Sequence, residues 1–303
     1  MSKKTKIACV GEVMIELIAK DNGQADIGVA GDTYNTAVYL SKLADNSDIE
    51  ITYITALGSD QFSKRIISEV ERHGINTNHI EYREGQMPGL YAIETDCHGE
   101  RSFSYWRGQA AAKSLFQEPC TIKLDALLKF DLIYISGISM AILPPSTRSN
   151  LIDFLSEYKK SDGKLAFDSN YRPRLWEDEE TARSVTMAMW ALADIALPSV
   201  DDEMLLFGDE DESAVLQRIK SVGVSYGALK RGIEGPLGIG EKIDAASFER
   251  VTNIIDTTAA GDSFNAGFLY QYAMGKNLTE AMQSGHMLAS KIIQASGAIV
   301  ELD

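Results

Sequence analysis

The run Asp256-Thr257-Thr258-Ala259-Ala260-Gly261-Asp262-Ser263-Phe264-Asn265-Ala266-Gly267 carries the densest chemistry in the chain. Polar residues suited to turns lead into three with almost no side chain, then a single carboxylate, then helical spacing. Phe264, Phe268, Leu269, Tyr272 and Ala273 recur on one face, and Gly275 is a stop signal. Ala259, Ala260 and Gly261 therefore stand at a helix N-terminus, where free N–H groups and the positive dipole end favour an anion. Small residues let the main chain approach phosphate oxygens. Asp262 would point to the place where the anion's terminal group meets a second molecule. A phosphate cradle and a base on one turn suggest phosphoryl transfer. Taken alone, Asp262 has a simpler reading, as an acid that suits the dipole after a tight loop.

Alternating strands and helices must position this run. Residues 7–11, 51–56, 132–137, 164–168 and 195–197 are short apolar stretches that read as strands. Between them, 33–43, 61–72, 145–160 and 181–193 have helical spacing. That alternation predicts a mostly parallel sheet covered on both faces, with ligands outside the carboxyl ends of its strands. Residues 89–107 break the rhythm. Leu90–Thr95 and Ser102–Trp106 are strand-like around a turn at Asp96-Cys97-His98-Gly99. Two readings stay open for this hairpin, a projecting flap and a plain edge hairpin. Without a repeat, low-complexity tract or Pro/Gly linker, residues 1–303 read as one core with a lid.

Bulk properties narrow the class. Lys plus Arg is 29 against Asp plus Glu 44, a net charge of −15 that argues against nucleic acid or an anionic membrane as partner. An anionic substrate would need cationic side chains gathered locally against that field. Cys9, Cys97 and Cys120 are too far apart for a zinc pair and read as reduced thiols. No apolar run reaches about 18 residues, and the start lacks a signal-peptide core, so a cytoplasmic setting is expected.

Three further clusters carry polar groups to element ends. In Ala30-Gly31-Asp32-Thr33-Tyr34-Asn35, glycine permits close approach while Asp32 and Asn35 bring directional groups to a helix start; capping explains them without a ligand. Phe167-Asp168-Ser169-Asn170-Tyr171-Arg172 ends a strand. A guanidinium there matches a carboxylate or phosphate, or pairs with a neighbouring acid. Arg107, after Tyr105 and Trp106, is a second candidate cation. Ala228-Leu229-Lys230-Arg231-Gly232-Ile233-Glu234-Gly235 is a glycine-bearing turn after a strand, or a simple β-turn with surface charge. The Gly-Lys-Ser/Thr ending of a P-loop is absent, and the histidines do not cluster.

Together these motifs resemble the ribokinase-like (PfkB) carbohydrate kinases over essentially the whole chain. The Asp256 run is similar to the family's C-terminal signature and residues 30–37 to its N-terminal one. Gly58 and Asp60 fit the following Gly-x-Asp-x-Phe turn, with Ser63 in place of a glycine. The resemblance implies a three-layer α/β sandwich with a mostly parallel central sheet and a small β-strand lid, from strands near 12–30 and 89–107. It implies Asp262 as the base and Ala259, Ala260 and Gly261 as an anion hole. Gly31, Asp32, Asn35, Tyr91, Tyr105, Arg107, Asn170 and Arg172 would bind the sugar. Ser199, Lys230, Gly232, Gly235 and His286 would bind ATP. Glu203 would organise Mg2+ through water, although Ser199 replaces the usual asparagine, and Asp256 and Thr258 would lie beside a K+ site.

Pro88-Gly89-Leu90-Tyr91, Tyr105-Trp106-Arg107 and Asp168–Trp176 narrow the resemblance to members that phosphorylate the sugar acid 2-keto-3-deoxygluconate. Arg107, Arg172 and Tyr91 can bind a carboxylate that a neutral sugar lacks. A fructokinase or ribokinase-like enzyme and a silent sugar sensor are the rival readings. A homo-oligomer formed through the lid is implied too. With an unperturbed pKa of about 3.9, Asp262 is expected to be ionised and a weak base, its proton transfer coming late.

Overall fold

A computed structural model of the chain describes residues 4–20, 22–45, 47–95, 101–240 and 248–302. The turn expected at 96–99, with Cys97, lies outside the described residues. The strands are β1 Thr5–Val10, β2 Met14–Ala19, β3 Ala25–Ala30, β4 Ile49–Leu57, β5 Ile80–Tyr82, β6 Gly89–Thr95, β7 Arg101–Trp106, β8 Leu132–Ser136, β9 Lys164–Asp168, β10 Ile195–Ala196, β11 Gly227–Leu229 and β12 Leu237–Ile239. The α-helices are α1 Asp32–Ala44, α2 Gln61–Arg72, α3 Gly137–Ile142, α4 Pro145–Lys160, α5 Glu179–Leu192, α6 Val200–Phe207, α7 Glu212–Ser221, α8 Ala260–Ala273 and α9 Leu278–Ile292.

The central sheet runs β12-β11-β10-β9-β8-β1-β4-β5, parallel except for β12. Its middle strands are buried on both faces, which is why Leu132-Ile133-Tyr134-Ile135 is an unbroken apolar run. Alternate side chains feed two cores. Ile7, Cys9, Tyr53 and Tyr134 pack on the side of α1, α8 and α9. Ala8, Val10, Ile133, Ile135 and Phe167 pack on the side of α4 and α5. The expected strands and helices all form, with ends shifted by a residue or two; α2 and α4 span 61–72 and 145–160 as read from their spacing.

The hairpin β6–β7 does not border the central sheet. It belongs to a second sheet ordered β3-β2-β6-β7, where β2 pairs in parallel with β6 and antiparallel with β3. That removes the edge-hairpin reading. The carboxyl ends of the central strands leave little room. At Gly137, the first residue of α3, any Cβ would collide with the carbonyl of Ser169, so only glycine lets α3 start against the loop after β9. Asp60 caps α2 by accepting from the amides of Phe62 and Ser63, and Ser63 Oγ takes the amide of Gly58 at 2.9 Å. The serine thus ties this turn together in place of the glycine that the resemblance implies.

Candidate active site

Helix α8 begins with Ala259 at its N-cap in the left-handed region, φ 60°, a conformation that costs a non-glycine residue energy and clusters at functional sites. No side chain caps this end. The Ala260 amide donates to the Thr257 carbonyl at 3.1 Å. The expected cradle is therefore narrower than three free amides: Gly261 and Asp262 are the first-turn positions whose amides have no partner inside the helix and no such turn bond. Around its first two turns the helix is enclosed, with Ser263, Asn265, Ala266 and Gly267 buried alongside Phe264, Phe268 and Leu269. Gly275 has φ 72° just past the end, the stop read from the sequence.

Asp262 is held from across the chain. Asn35 Nδ2 donates to its Oδ2 at 2.8 Å, and Thr36 Oγ1 donates to its carbonyl at 3.2 Å. Burial pushes its carboxyl up to about 8, helped by the charges of Asp32 and Asp168, while the Asn35 bond and Lys230 oppose the rise. The residue keeps a solvent-facing edge, so screening tempers the shift without reversing it. The expectation of an ordinary, fully ionised carboxylate is corrected by that crowding. An acid titrating near neutrality is a stronger base for a hydroxyl than one of pKa 3.9.

The neighbours of Asp262 come from the carboxyl ends of the strands. Asp32, whose carboxyl is also raised by burial, accepts from Asn170 Nδ2 at 2.9 Å. Asn170 sits at φ 32°, another left-handed position, two residues beyond β9. Asp168, the last residue of β9, accepts from Lys230 Nζ at 2.6 Å and Asn265 Nδ2 at 2.7 Å. Asp168 and Asn265 were named in the sequence motifs without a role. Their positions, a strand end and one turn after Asp262, were the available signal.

On the side of the small sheet, the expected sugar-binding groups are present but engaged. Arg107 forms an ion pair with Glu12 at the end of β1, with 12% of the arginine side chain and none of the Glu12 side chain exposed. Burial raises the Glu12 carboxyl and Arg107 opposes that; among the described residues Glu12 Oε1 has no hydrogen-bond partner. The Tyr91 hydroxyl donates to Glu16. Tyr105 is 52% exposed and stacks on Tyr91 with ring centroids 5.7 Å apart. A Cβ at Gly31 would collide with the Glu12 carbonyl, so this glycine lets the start of α1 close on the chain entering the second sheet. Glu12 and Glu16 belong to an opening motif, residues 11–17, that agrees with the resemblance, but nothing local gives a role to acids that answer partners 95 and 75 residues away. Arg172 pairs with Asp202 at 3.1 Å, with its side chain 51% exposed, so the neighbouring-acid alternative holds for this guanidinium.

The nucleotide side needs one correction. Glu203 is fully buried, and its Oε2 accepts from Arg218 at 2.9 Å, so that oxygen is engaged in the interior. Asp202, three residues after Ser199, is the acid that lies with Arg172, and it senses the charges of Asp168 and Lys230. Counting Asn-x-x-Glu from Ser199 reaches Asp202, one residue before Glu203. Among the described residues no group of three or more His, Cys, Asp or Glu side chains could hold a metal ion. One carboxylate with substrate phosphates nevertheless suits Mg2+, which retains much of its water.

Ser199 precedes α6 and bridges to Lys230. Gly232 and Gly235 take φ 55° and 74° in the turn after β11. His286 is tied to this region: its ring packs on Phe248 at 5.1 Å and Nε2 lies 2.8 Å from the Glu249 carbonyl. Asp256 accepts the amides of Thr258 at 2.9 Å and Gly297 at 2.7 Å, so its carboxylate pins the approach to α8.

The chain belongs to the pfkB family of carbohydrate kinases, whose model matches residues 4–303. Among curated proteins it is 40% identical to a 2-dehydro-3-deoxygluconokinase of Haemophilus influenzae, covering 98% of this chain and 96% of that one. It is 41% identical to the enzymes of the same name from Dickeya dadantii and Escherichia coli K12, covering 98% and 99% of this chain and 97% and 98% of theirs. Solved structures share the fold. A PfkB protein from Polaromonas sp. JS666 matches with TM-score 0.80 at 23% identity, covering 96% of both chains. A fructokinase from Vibrio cholerae O395 in a fructose, ADP and calcium ion bound form matches with TM-score 0.83 at 20% identity, covering 98% of this chain and 95% of that one.

Proposed function

We propose that this chain transfers the γ-phosphoryl group of ATP to the primary hydroxyl of 2-keto-3-deoxy-D-gluconate, yielding 2-keto-3-deoxy-6-phosphogluconate. The observation that carries the reading is Asp262, oriented by Asn35 on the first turn of α8 and titrating near neutrality. The kinases of that name, at about 40% identity over nearly the whole chain, support the substrate.

Asp262 takes the hydroxyl proton as the oxygen attacks phosphorus, and its bond to Asn35 fixes the approach. The amides of Gly261 and Asp262 donate to the phosphoryl oxygens, where most catalysis of this reaction resides. Asp32 and Asn170 bind sugar hydroxyls. Arg107 and Arg172 receive the carboxylate with N–H groups that their acid partners leave over, since a guanidinium has five. Ser199, Lys230, Gly232 and Gly235 line the phosphate and nucleotide side, with Asp202 as the acid toward Mg2+. That cation neutralises phosphate charge when bound. The reading keeps His286 beside adenine and a K+ beside Asp256 and Thr258.

The small sheet acts as a lid that excludes water and limits ATP hydrolysis. Its exposed Ile27, Phe103 and Trp106 support a homo-oligomer built through it. Free thiols at Cys9 and Cys120, with ATP as donor, support a cytoplasmic setting. The decisive experiment is magnesium-dependent ADP release with 2-keto-3-deoxygluconate against gluconate, fructose and ribose. Release with the keto-deoxy acid is expected. Faster turnover of a neutral sugar, or none with any, overturns the assignment.

A further inference from the structure

We propose that Lys230, held by Asp168 and Asn265, is the catalytic cation that contacts the migrating phosphoryl group. This rests on the phosphotransfer reading above and assigns one side chain a role in its central step. Three elements converge on the ammonium. Lys230 follows β11, Asp168 ends β9, and Asn265 lies one turn into α8. Nζ donates to Asp168 Oδ2 at 2.6 Å and to Asn265 Oδ1 at 3.2 Å. It also stands 3.6 Å from the point that a Cβ on Gly261 would occupy. Asn265 is itself anchored through Nδ2, to Asp168 at 2.7 Å and to the Tyr134 hydroxyl at 3.0 Å. An ammonium has three donors, so these contacts leave one for an oxygen beside the bare start of α8.

Charge gives the second argument. Asp32, Asp168, Asp202 and Asp262 bring four carboxylates to the strand ends, and an ATP phosphate must enter among them. Lys230 lowers the carboxyls of both Asp262 and Asp202, so its charge reaches both sides of the transfer. In the step, the bond from γ-phosphorus to the β,γ-bridging oxygen breaks and a bond from the sugar hydroxyl oxygen forms. The hydroxyl proton passes to Asp262 and ADP leaves. Lys230 takes no part in that proton transfer; it donates to the transferring oxygens and offsets their charge. Lysine suits this place because a compact point charge can follow a moving group, whereas a planar fork fixes its partner.

The test replaces Lys230 with methionine and, separately, with glutamine, which keeps hydrogen-bonding capacity toward Asp168 and Asn265 without charge. Three quantities are measured: steady-state kinetics, the affinity for Mg·ADP, and the affinity for Mg·ADP with tetrafluoroaluminate and the sugar acid. Expected is a fall in kcat of at least about 100-fold, with KM for the sugar acid and the Mg·ADP affinity within about threefold. The tetrafluoroaluminate complex weakens in step with kcat. In the ligand-free protein, carbon-13 NMR of the aspartate carboxyls should show Asp262 titrating at higher pH once the lysine charge is gone. The other groups facing it are unchanged: Asp32, Asp168, Tyr134, Tyr91 and Tyr39. A kcat within tenfold of wild type in either folded variant overturns the proposal. So does equal weakening of Mg·ADP and the tetrafluoroaluminate complex, which would make Lys230 a nucleotide ligand only. Should the methionine variant fail to fold, the glutamine variant decides. Wild-type ADP release in the same assay separates failure of this role from failure of the kinase reading.

Discussion

The two sides into which the proposed reaction divides the site are built differently. The transfer side is the entrance to α8, made of main chain, one uncapped helix end and a single acid, with Lys230 above it. The sugar side, between the second sheet and the strand ends, is made of side chains already committed to one another: Arg107 with Glu12, Tyr91 with Glu16, Asn170 with Asp32. The first arrangement stabilises charge that develops during a reaction, and needs little besides local backbone geometry. The second discriminates between molecules, which requires groups fixed in space by partners far along the chain. Chemistry is local here and selection is assembled.

Four experiments break or sharpen that contrast. The largest effect should come from Asp262→Asn, which keeps the shape of the helix entrance and removes the base. Turnover is expected to drop by about two to four orders of magnitude, with ADP affinity in calorimetry unchanged. Near-normal turnover would leave the transfer side without a base. Arg107→Leu should act on stability as well as on the sugar acid, because it strands the fully buried Glu12 carboxylate. A loss of about 3–5 kcal/mol in denaturant unfolding is expected. Arg172→Leu should lose at most about 1 kcal/mol of stability, since its pair with Asp202 is half exposed. It should still weaken the sugar acid about tenfold or more against a neutral sugar. If both variants show the same stability, the buried pair is not the structural element described here.

The smallest effect is pH-dependent. Folded Asp262 titrates near 8, whereas in the unfolded chain it releases its proton near pH 4. Between those values the folded state binds more protons, so its contribution to stability falls as pH rises from about 4 towards 8. Melting curves of Asp262→Asn should therefore lie above wild type at pH 8, by on the order of 1 kcal/mol, and converge with it near pH 4. Catalysis has the opposite slope: kcat/KM should climb towards pH 8 as the base ionises. A flat profile across that range would mean that the crowding of Asp32, Asp168 and Asp262 is relieved in solution.

Legibility followed the same division. The Asp256–Gly267 run was readable because the helix stop at Gly275, the small residues and the acid are contiguous. Central strands were readable because burial on both faces leaves no polar alternation. By contrast, Arg107 and Arg172 were identified as cations, yet the acids that answer them lie 95 and 30 residues away. Glu203, taken from the resemblance, stands one position past the acid that Asn-x-x-Glu reaches when counted from Ser199. Packing adds that Glu203 meets Arg218 in the interior while Asp202 meets the half-exposed Arg172.

The chain's order of residues by itself determined the alternating elements, the uncapped start of α8 and the presence of an acid upon it, because each depends on neighbours within a few positions. Tertiary structure alone decided that the Asp262 carboxyl is pushed up towards neutrality, that Lys230 stands beside Gly261, and that Arg107 is shared with Glu12. Those are properties of distance and dielectric, and both exist only once the sheets have closed.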